Sequence, residues 1–225
     1  SLTTVSSRGC PYACTFCYRG GQGERLYGVR CEKNLAKEVK WLIDTYNIDF
    51  VGFPDDNFAV DRKRTAKLPE AFKDFNIKWG THTRLDEADD RLEPMAESGC
   101  VYVGFGAESA SPDVLNYMKK GGFILKKGLV DINGYTFPKS MVDAIRNTLS
   151  YGIHSNCTWI MGYPGEKLID LKTSVAFIQW QKELVTKGLL PGTTEYKVAS
   201  ESINENMFVA TAYPGTEMFK HPKVQ

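Results

Sequence analysis

A partial (β/α)6 barrel, α/β in class and TIM-like in layout, is the fold this sequence predicts. Short apolar runs alternate with helical patterns along the whole chain, which is the mark of a parallel β/α fold. The segments that follow those runs are polar or rich in glycine, as the C-terminal strand ends of a β/α barrel are. Six such units make an open three-quarter barrel rather than a closed ring of eight.

Leu2 to Ser6 reads as a first strand that leads into a cysteine-bearing loop. From Asn34 to Tyr46, Leu35, Val39, Leu42 and Ile43 fall on one helical face. Phe50 to Phe53 is a second strand, followed by a helix over Arg62 to Phe75. Ile77 to Thr81 is a third strand, followed by a helix over Glu87 to Glu97. Val101 to Phe105 is a fourth strand ending in GAESAS, and Pro112 opens a helix from the first-turn position that proline favours. A helical stretch over Pro138 to Tyr151, a strand over Ser155 to Met161, a long helix over Leu168 to Lys187 and a strand over Met207 to Thr211 complete the pattern.

Charge excludes two classes of partner. The 28 basic and 27 acidic residues leave a net charge of +1, so no strong field draws the chain to nucleic acid or anionic lipid. No apolar run approaches the ~20 residues that span a bilayer, and the chain reads as cytoplasmic. Its length suits a single domain over residues 1–225.

Chemistry concentrates in GCPYACTFCY, where Cys10, Cys14 and Cys17 stand four and three residues apart. A four-iron, four-sulfur cluster takes one thiolate on each iron it anchors. Three thiolates leave one iron open to chelate an amine and a carboxylate, both of which S-adenosylmethionine offers. A structural zinc site needs four ligands, usually as two close pairs, and no second pair of that spacing appears between Gly20 and Arg30. A disulfide framework belongs to small secreted domains, and no apolar leader precedes Cys10. Three buried thiols without a function are the bland alternative. Cys31, Cys100 and Cys157 are widely spaced and read as small hydrophobes. Phe16 and Tyr18 flank the third cysteine, and an aromatic there can lie against a flat adenine ring, although Phe16 taken alone reads better as core.

Five further segments sit at the predicted strand ends: PDDNF, THTRLD, GAESAS, GYPGE and AYPGT. Their glycines and prolines let backbone groups approach a ligand. Glu108 can accept hydrogen bonds from ribose hydroxyls or an amino group, and Arg84 can fork onto a carboxylate. Against this, Asp55, Asp56 and Asn57 can simply cap the next helix, and Arg84 can simply pair with Asp86.

Taken in order, GCPYACTFCYRG, FPDDNF, THTRLD, VGFGAESAS with Met118-Lys119-Lys120-Gly121, WIMGYPGE and ATAYPGTEMF resemble the radical S-adenosylmethionine superfamily. The likeness is to its cobalamin-dependent branch, together with the methylthiotransferase and coproporphyrinogen-dehydrogenase-like branches. It implies that Cys10, Cys14 and Cys17 hold a [4Fe-4S] cluster. It further implies that Phe16, Ile160 and Ala212 border the adenine, that the loop carrying Asp55 and Asp56 meets the ligand's amino group, and that Glu108 meets its polar edge. The implied activity is reductive cleavage of S-adenosylmethionine to a 5′-deoxyadenosyl radical, which acts on an unidentified substrate with electrons from a flavodoxin or ferredoxin. Methyl transfer is expected only where a cobalamin domain lies upstream. Residues 1–225 lack such a domain and read as a radical SAM core, a fragment or a minimal one. The stretch over residues 123–137 departs from the family and reads as an insertion or loop. A non-catalytic iron–sulfur electron carrier is the alternative, with Cys31 as its candidate fourth ligand.

Overall fold

The computed structural model describes residues 1–18 and 26–224. Arg19 and Gly20, the end of the first family-like stretch, and part of the segment searched for a second cysteine pair lie outside the described residues. The strands are β1 (Leu2–Thr3), β2 (Ser7–Gly9), β3 (Tyr27–Val29), β4 (Phe50–Phe53), β5 (Lys78–Arg84), β6 (Cys100–Glu108), β7 (Leu129–Ile132), β8 (Tyr135–Pro138), β9 (His154–Met161) and β10 (Met207–Val209). Six of them form one sheet in the order β1-β4-β5-β6-β9-β10, the order of a partial β/α barrel. The pairings β1 with β4, β4 with β5 and β9 with β10 are parallel. Helices α1 (Glu32–Tyr46), α2 (Arg62–Thr65), α3 (Leu68–Phe72), α4 (Leu92–Glu97), α5 (Pro112–Tyr117), α6 (Gly121–Ile124), α7 (Lys139–Ser150), α8 (Leu168–Thr186) and α9 (Thr194–Glu201) separate them.

The chain sorts into two compact units, one of Ser1–Tyr12, Arg25–Phe105 and Asp143–Ser155, the other of Ala13–Glu24, Gly106–Val142 and Asn156–Gln225. In the first, Phe53, Phe58 and Trp79 bring their rings within 5.0–5.5 Å of one another and are fully buried. Leu35, Val39 and Leu42 turn the apolar stripe of α1 inward, as the helical spacing predicts. In the second, Phe177 of α8 meets Phe137, Trp159 and Trp180 at 5.1, 5.7 and 5.0 Å.

Helix lengths depart from the periodicity for a local reason. The expected helix over Arg62 to Phe75 divides into α2 and α3, because Pro69 sits in the first turn of α3 and has no N–H to continue the ladder. Pro94 likewise lies in the first turn of α4, which starts at Leu92 rather than near Glu87. Strands β5 and β6 run on to Arg84 and Glu108, so the polar ends expected as loops are partly strand.

Residues 123–137 are not a plain loop. β7 and β8 pair antiparallel across Asn133 and Gly134, both at positive φ (52° and 79°), the geometry of a tight two-residue hairpin turn. β2 and β3 form a second antiparallel ribbon that the apolar pattern does not announce.

Phe177 fills the centre of the second core, so Phe177→Ala should cost about 3–5 kcal/mol in a urea melt, the range for deleting a buried phenyl ring. An exposed control, Val198→Ala on α9, should move the midpoint little.

Candidate active site

The first half of the cysteine loop is held by the first unit. Asp55 is buried and accepts from the Ser6 N–H (2.8 Å), the Ser6 hydroxyl and the Ser7 hydroxyl (2.6 Å). Asp56 accepts the Gly9 N–H at 2.9 Å. Gly9 has φ of 79°, and a Cβ there would lie 2.1 Å from the Leu26 carbonyl oxygen, so glycine is required directly before Cys10. Two residues past Cys10, the Tyr12 hydroxyl donates to Glu87 at 2.7 Å and the Arg84 guanidinium lies 4.0 Å over its ring. Burial, with Glu87 beside it, pushes the Tyr12 phenol up. Arg84 also forks onto Asp86 through Nε (2.9 Å) and Nη2 (3.1 Å). The structure thus places Asp55, Asp56 and Arg84 around the segment that carries Cys10.

The second half belongs to the second unit and turns on Thr15. Its N–H donates to the Met118 carbonyl (3.0 Å), its carbonyl accepts the Met218 N–H (2.9 Å), and its hydroxyl shares a short hydrogen bond with Tyr163. A turn closed by the Cys17 N–H on the Cys14 carbonyl (3.2 Å) then holds the two cysteines on one short stretch of backbone. The neighbouring Cys14 thiol and partial desolvation push the Cys17 thiol up, while the ammonium of Lys120 pulls it down and the Glu108 carboxylate works against that pull.

Between the two thiols, Phe16 packs with Ile160 and Ala212 against the buried cluster of Val114, Met118, Tyr163 and Met218. All three positions expected at the adenine are therefore brought together. The GYPGE loop delivers Tyr163: Gly162 and Gly165 take φ of 75° and 95°, and the Glu166 carboxylate accepts the Gly162 N–H at 2.5 Å. In AYPGT, Thr216 closes the turn on the Tyr213 carbonyl and sets Met218 against Thr15.

Glu108 ends β6 with φ of 64°, an uncommon conformation for a residue with a side chain. Its Oε1 accepts from Lys120 Nζ at 2.9 Å, and the same ammonium donates to the Gly106 carbonyl at 2.7 Å. Lys120 and Thr15 are the residues that sequence reasoning missed. Lys120 stood in the MKKG stretch as one of two adjacent lysines, and only burial separates it from exposed Lys119, which pairs with Glu217.

The donor set fits a four-iron cluster. Two thiols are already gathered on one short turn, with a third four residues before Cys14, and soft thiolates are the ligands that iron–sulfur clusters take. Among the described residues no three His, Cys, Asp or Glu side chains are grouped to hold a single metal ion. A cluster does not require such a group, because each of its thiolates binds a different iron. Burial pushes the thiols of Cys100 and Cys157 up to about 12, which keeps both protonated and inert.

The model of the Radical SAM superfamily matches residues 4–178, and the chain belongs to that superfamily of enzymes, whose cofactors are a [4Fe-4S] cluster and S-adenosylmethionine. An uncharacterized methyltransferase of Pyrococcus horikoshii is 28% identical over 222 residues, which is 96% of this chain and 41% of that protein. The cytidylyl-2-hydroxyethylphosphonate methyltransferase of Streptomyces wedmorensis is 29% identical over 185 residues, 77% of this chain and 32% of that protein. The chain thus spans less than half the length of either relative. Among solved structures, the cobalamin-dependent radical enzyme OxsB, with aqua-cobalamin and S-adenosylmethionine bound, superposes with a TM-score of 0.74 at 18% identity, over 98% of this chain and 34% of that one. The methyltransferase TsrM from Kitasatospora setae, with cobalamin and a [4Fe-4S] cluster bound, gives 0.64 at 17%, over 80% and 34%. Both show the same fold. Among the described residues no helix is long and apolar enough to cross a membrane.

Lys120→Met should destabilise the chain by about 3–5 kcal/mol, the cost of stranding the partner of a buried pair. Adding Glu108→Gln should recover much of that loss, and thermal melts of the single and double variants measure the difference.

Proposed function

We propose that residues 1–225 are the radical SAM core domain of a methyltransferase, with Cys10, Cys14 and Cys17 holding the cluster. The observation that carries this reading is the pinned Cys14–Cys17 turn, closed by the Cys17 N–H on the Cys14 carbonyl, with Phe16 inside it packed beside Ile160 and Ala212. When bound, the cluster supplies the single electron that splits S-adenosylmethionine reductively. A donor of flavodoxin or ferredoxin type would provide that electron from outside. Methyl transfer as the outcome is supported by the names of the two curated relatives.

The chain's own residues bind and orient. The patch of Phe16, Ile160 and Ala212 offers an apolar bed for the adenine. Glu108 keeps Oε1 on Lys120 and presents Oε2 to the ligand's amino group or ribose. Asp55, Asp56 and Arg84 act as positioning residues, since their contacts fix the backbone on either side of Cys10.

Anaerobic reconstitution tests the ligand assignment. Cys10→Ala, Cys14→Ala and Cys17→Ala should each lose most of the bound iron and sulfide, whereas Cys31→Ala, Cys100→Ala and Cys157→Ala should keep it. Loss of the cluster in Cys31→Ala would point to four protein ligands and to the electron-carrier alternative.

A second assay addresses the ligand. The reconstituted chain, reduced with dithionite, should release 5′-deoxyadenosine slowly from S-adenosylmethionine. Glu108→Gln should retain the cluster and weaken S-adenosylmethionine binding by about 1.5–3 kcal/mol, the range for a hydrogen bond to a charged group. An unchanged isotherm would remove Glu108 from the ligand site.

A further inference from the structure

Asn57, the last polar residue of the PDDNF segment, is fully buried, and its side chain caps no helix. It reaches instead to Glu87, buried in the turn Leu85–Glu87 that follows β5. Asn57 Nδ2 donates to Glu87 Oε1 at 3.3 Å, and the Thr83 hydroxyl of β5 stands 2.6 Å from both Glu87 Oε2 and Asn57 Oδ1. Arg91 Nη1 lies 3.7 Å from Glu87 Oε1 and donates to the Ala59 carbonyl at 2.9 Å. One carboxylate thus gathers the segment after β4, the end of β5 and the approach to α4.

A buried carboxylate is costly unless it is paired and hydrogen-bonded, and Asn57, Thr83 and Arg91 supply both conditions. Tyr12, 75 residues earlier in the chain, adds a hydrogen bond of 2.7 Å that the strand ends do not need for their own packing. Its ring is held as well, by the Arg84 guanidinium 4.0 Å above it, which is itself fixed by the fork onto Asp86. What the extra bond secures therefore lies on the Tyr12 side.

Pro11 turns that bond into a stiff link to Cys10. The proline ring locks its own φ at about −65° and keeps the residue before it, Cys10, out of the helical region. On the other side of Cys10, Asp56 holds the Gly9 N–H at 2.9 Å. Between these two anchors the soft torsions are φ and ψ of Cys10 and ψ of Pro11. A stretch this short, tied at both ends, leaves the Cys10 backbone little room.

We infer that Glu87, acting through the Tyr12 hydroxyl, is a positioning residue for Cys10 and holds that cysteine where it ligates iron. The inference rests on the reading of Cys10 as a cluster ligand. It deepens that reading by making the Cys10–iron bond depend on a carboxylate outside the ligand set.

Two measurements without turnover test it: anaerobic transfer of iron from the reconstituted chain to bathophenanthroline disulfonate, and the EPR spectrum of the dithionite-reduced cluster. Tyr12→Phe should load a full cluster and melt near the unsubstituted chain, yet release iron three- to tenfold faster and shift the EPR signal. Glu87→Gln keeps an oxygen that accepts from Tyr12 and an amide that donates to Thr83, so its release should stay within twofold of the unsubstituted rate. Glu87→Ala should match Tyr12→Phe, and the double variant should release iron no faster than either single one, because both changes cut the same link. Tyr46→Phe, on the exposed face of α1, should change nothing.

Unchanged release and EPR signal in Tyr12→Phe would overturn the inference. So would additive acceleration in the double variant, which would leave Glu87 a structural role only. Should Glu87→Ala fail to fold, the comparison of Tyr12→Phe with Glu87→Gln decides, and equally fast release from both would overturn it. The two readings fail separately. A Cys10→Ala variant that keeps its cluster would count against the ligand assignment itself, whereas loss of the cluster in Cys10→Ala with normal behaviour of Tyr12→Phe would count against the positioning role alone.

Discussion

Everything in the candidate site of the second unit depends on how Thr15 is tied. It lies between the second and third cysteines, and its N–H, its carbonyl and its hydroxyl are all engaged, with Met118, Met218 and Tyr163. A short loop left to itself loses about 1–2 kcal/mol of backbone entropy for every residue fixed, and a ligand that had to order it would bind correspondingly less well. Here the protein has ordered the turn in advance. The same three partners come from three separate chain segments, so the turn that gathers Cys14 and Cys17 also joins α5, the GYPGE loop and the AYPGT segment.

Glu108 and Lys120 show how a strained residue is kept at such a site. A left-handed backbone at a residue with a Cβ costs roughly 1–2 kcal/mol, and at Glu108 it ends β6 and aims the carboxylate at Lys120. Lys120 Nζ spans the same strand end by also donating to the Gly106 carbonyl, so the ammonium is satisfied although almost wholly buried. Breaking either contact strands a charge out of water, and the pair is therefore kept together. Both charges are felt at the Cys17 sulfur, where Lys120 draws the thiol down and Glu108 pushes it up.

Much of this was legible in the sequence where the signal is local. The strand over Phe50 to Phe53 and the apolar stripe of α1 follow from residue periodicity, and the cysteine spacing with its aromatic neighbour is a short-range pattern. What was not legible depends on partners far along the chain. Asp55 looks like a helix cap or a ligand contact until Ser6, 49 residues away, is seen to take its oxygens. Thr15 resembles any loop threonine until Tyr163 arrives from 148 residues away. Nothing in the spacing of adjacent Lys119 and Lys120 says which will be buried. The hairpin of β7 and β8 is a different case, since Asn-Gly flanked by alternating apolar residues is a local turn signal.

The two faces of the first unit's strands carry different obligations. On one, Trp79, Val103 and Phe105 are buried, and any change of volume is resisted by close packing. On the other, His82 meets Tyr102 edge to face at 6.4 Å between centroids and Tyr102 meets His154 at 5.8 Å, with His82 and His154 exposed. Substitution at exposed His82 or His154 costs the fold little, so that face can vary while the packed face keeps the sheet intact. Function on a shared fold resides in such replaceable surfaces. The division follows from the period of two in a β-strand, which sends each successive side chain to a different environment and lets nine residues of β6 serve both the core and an open face.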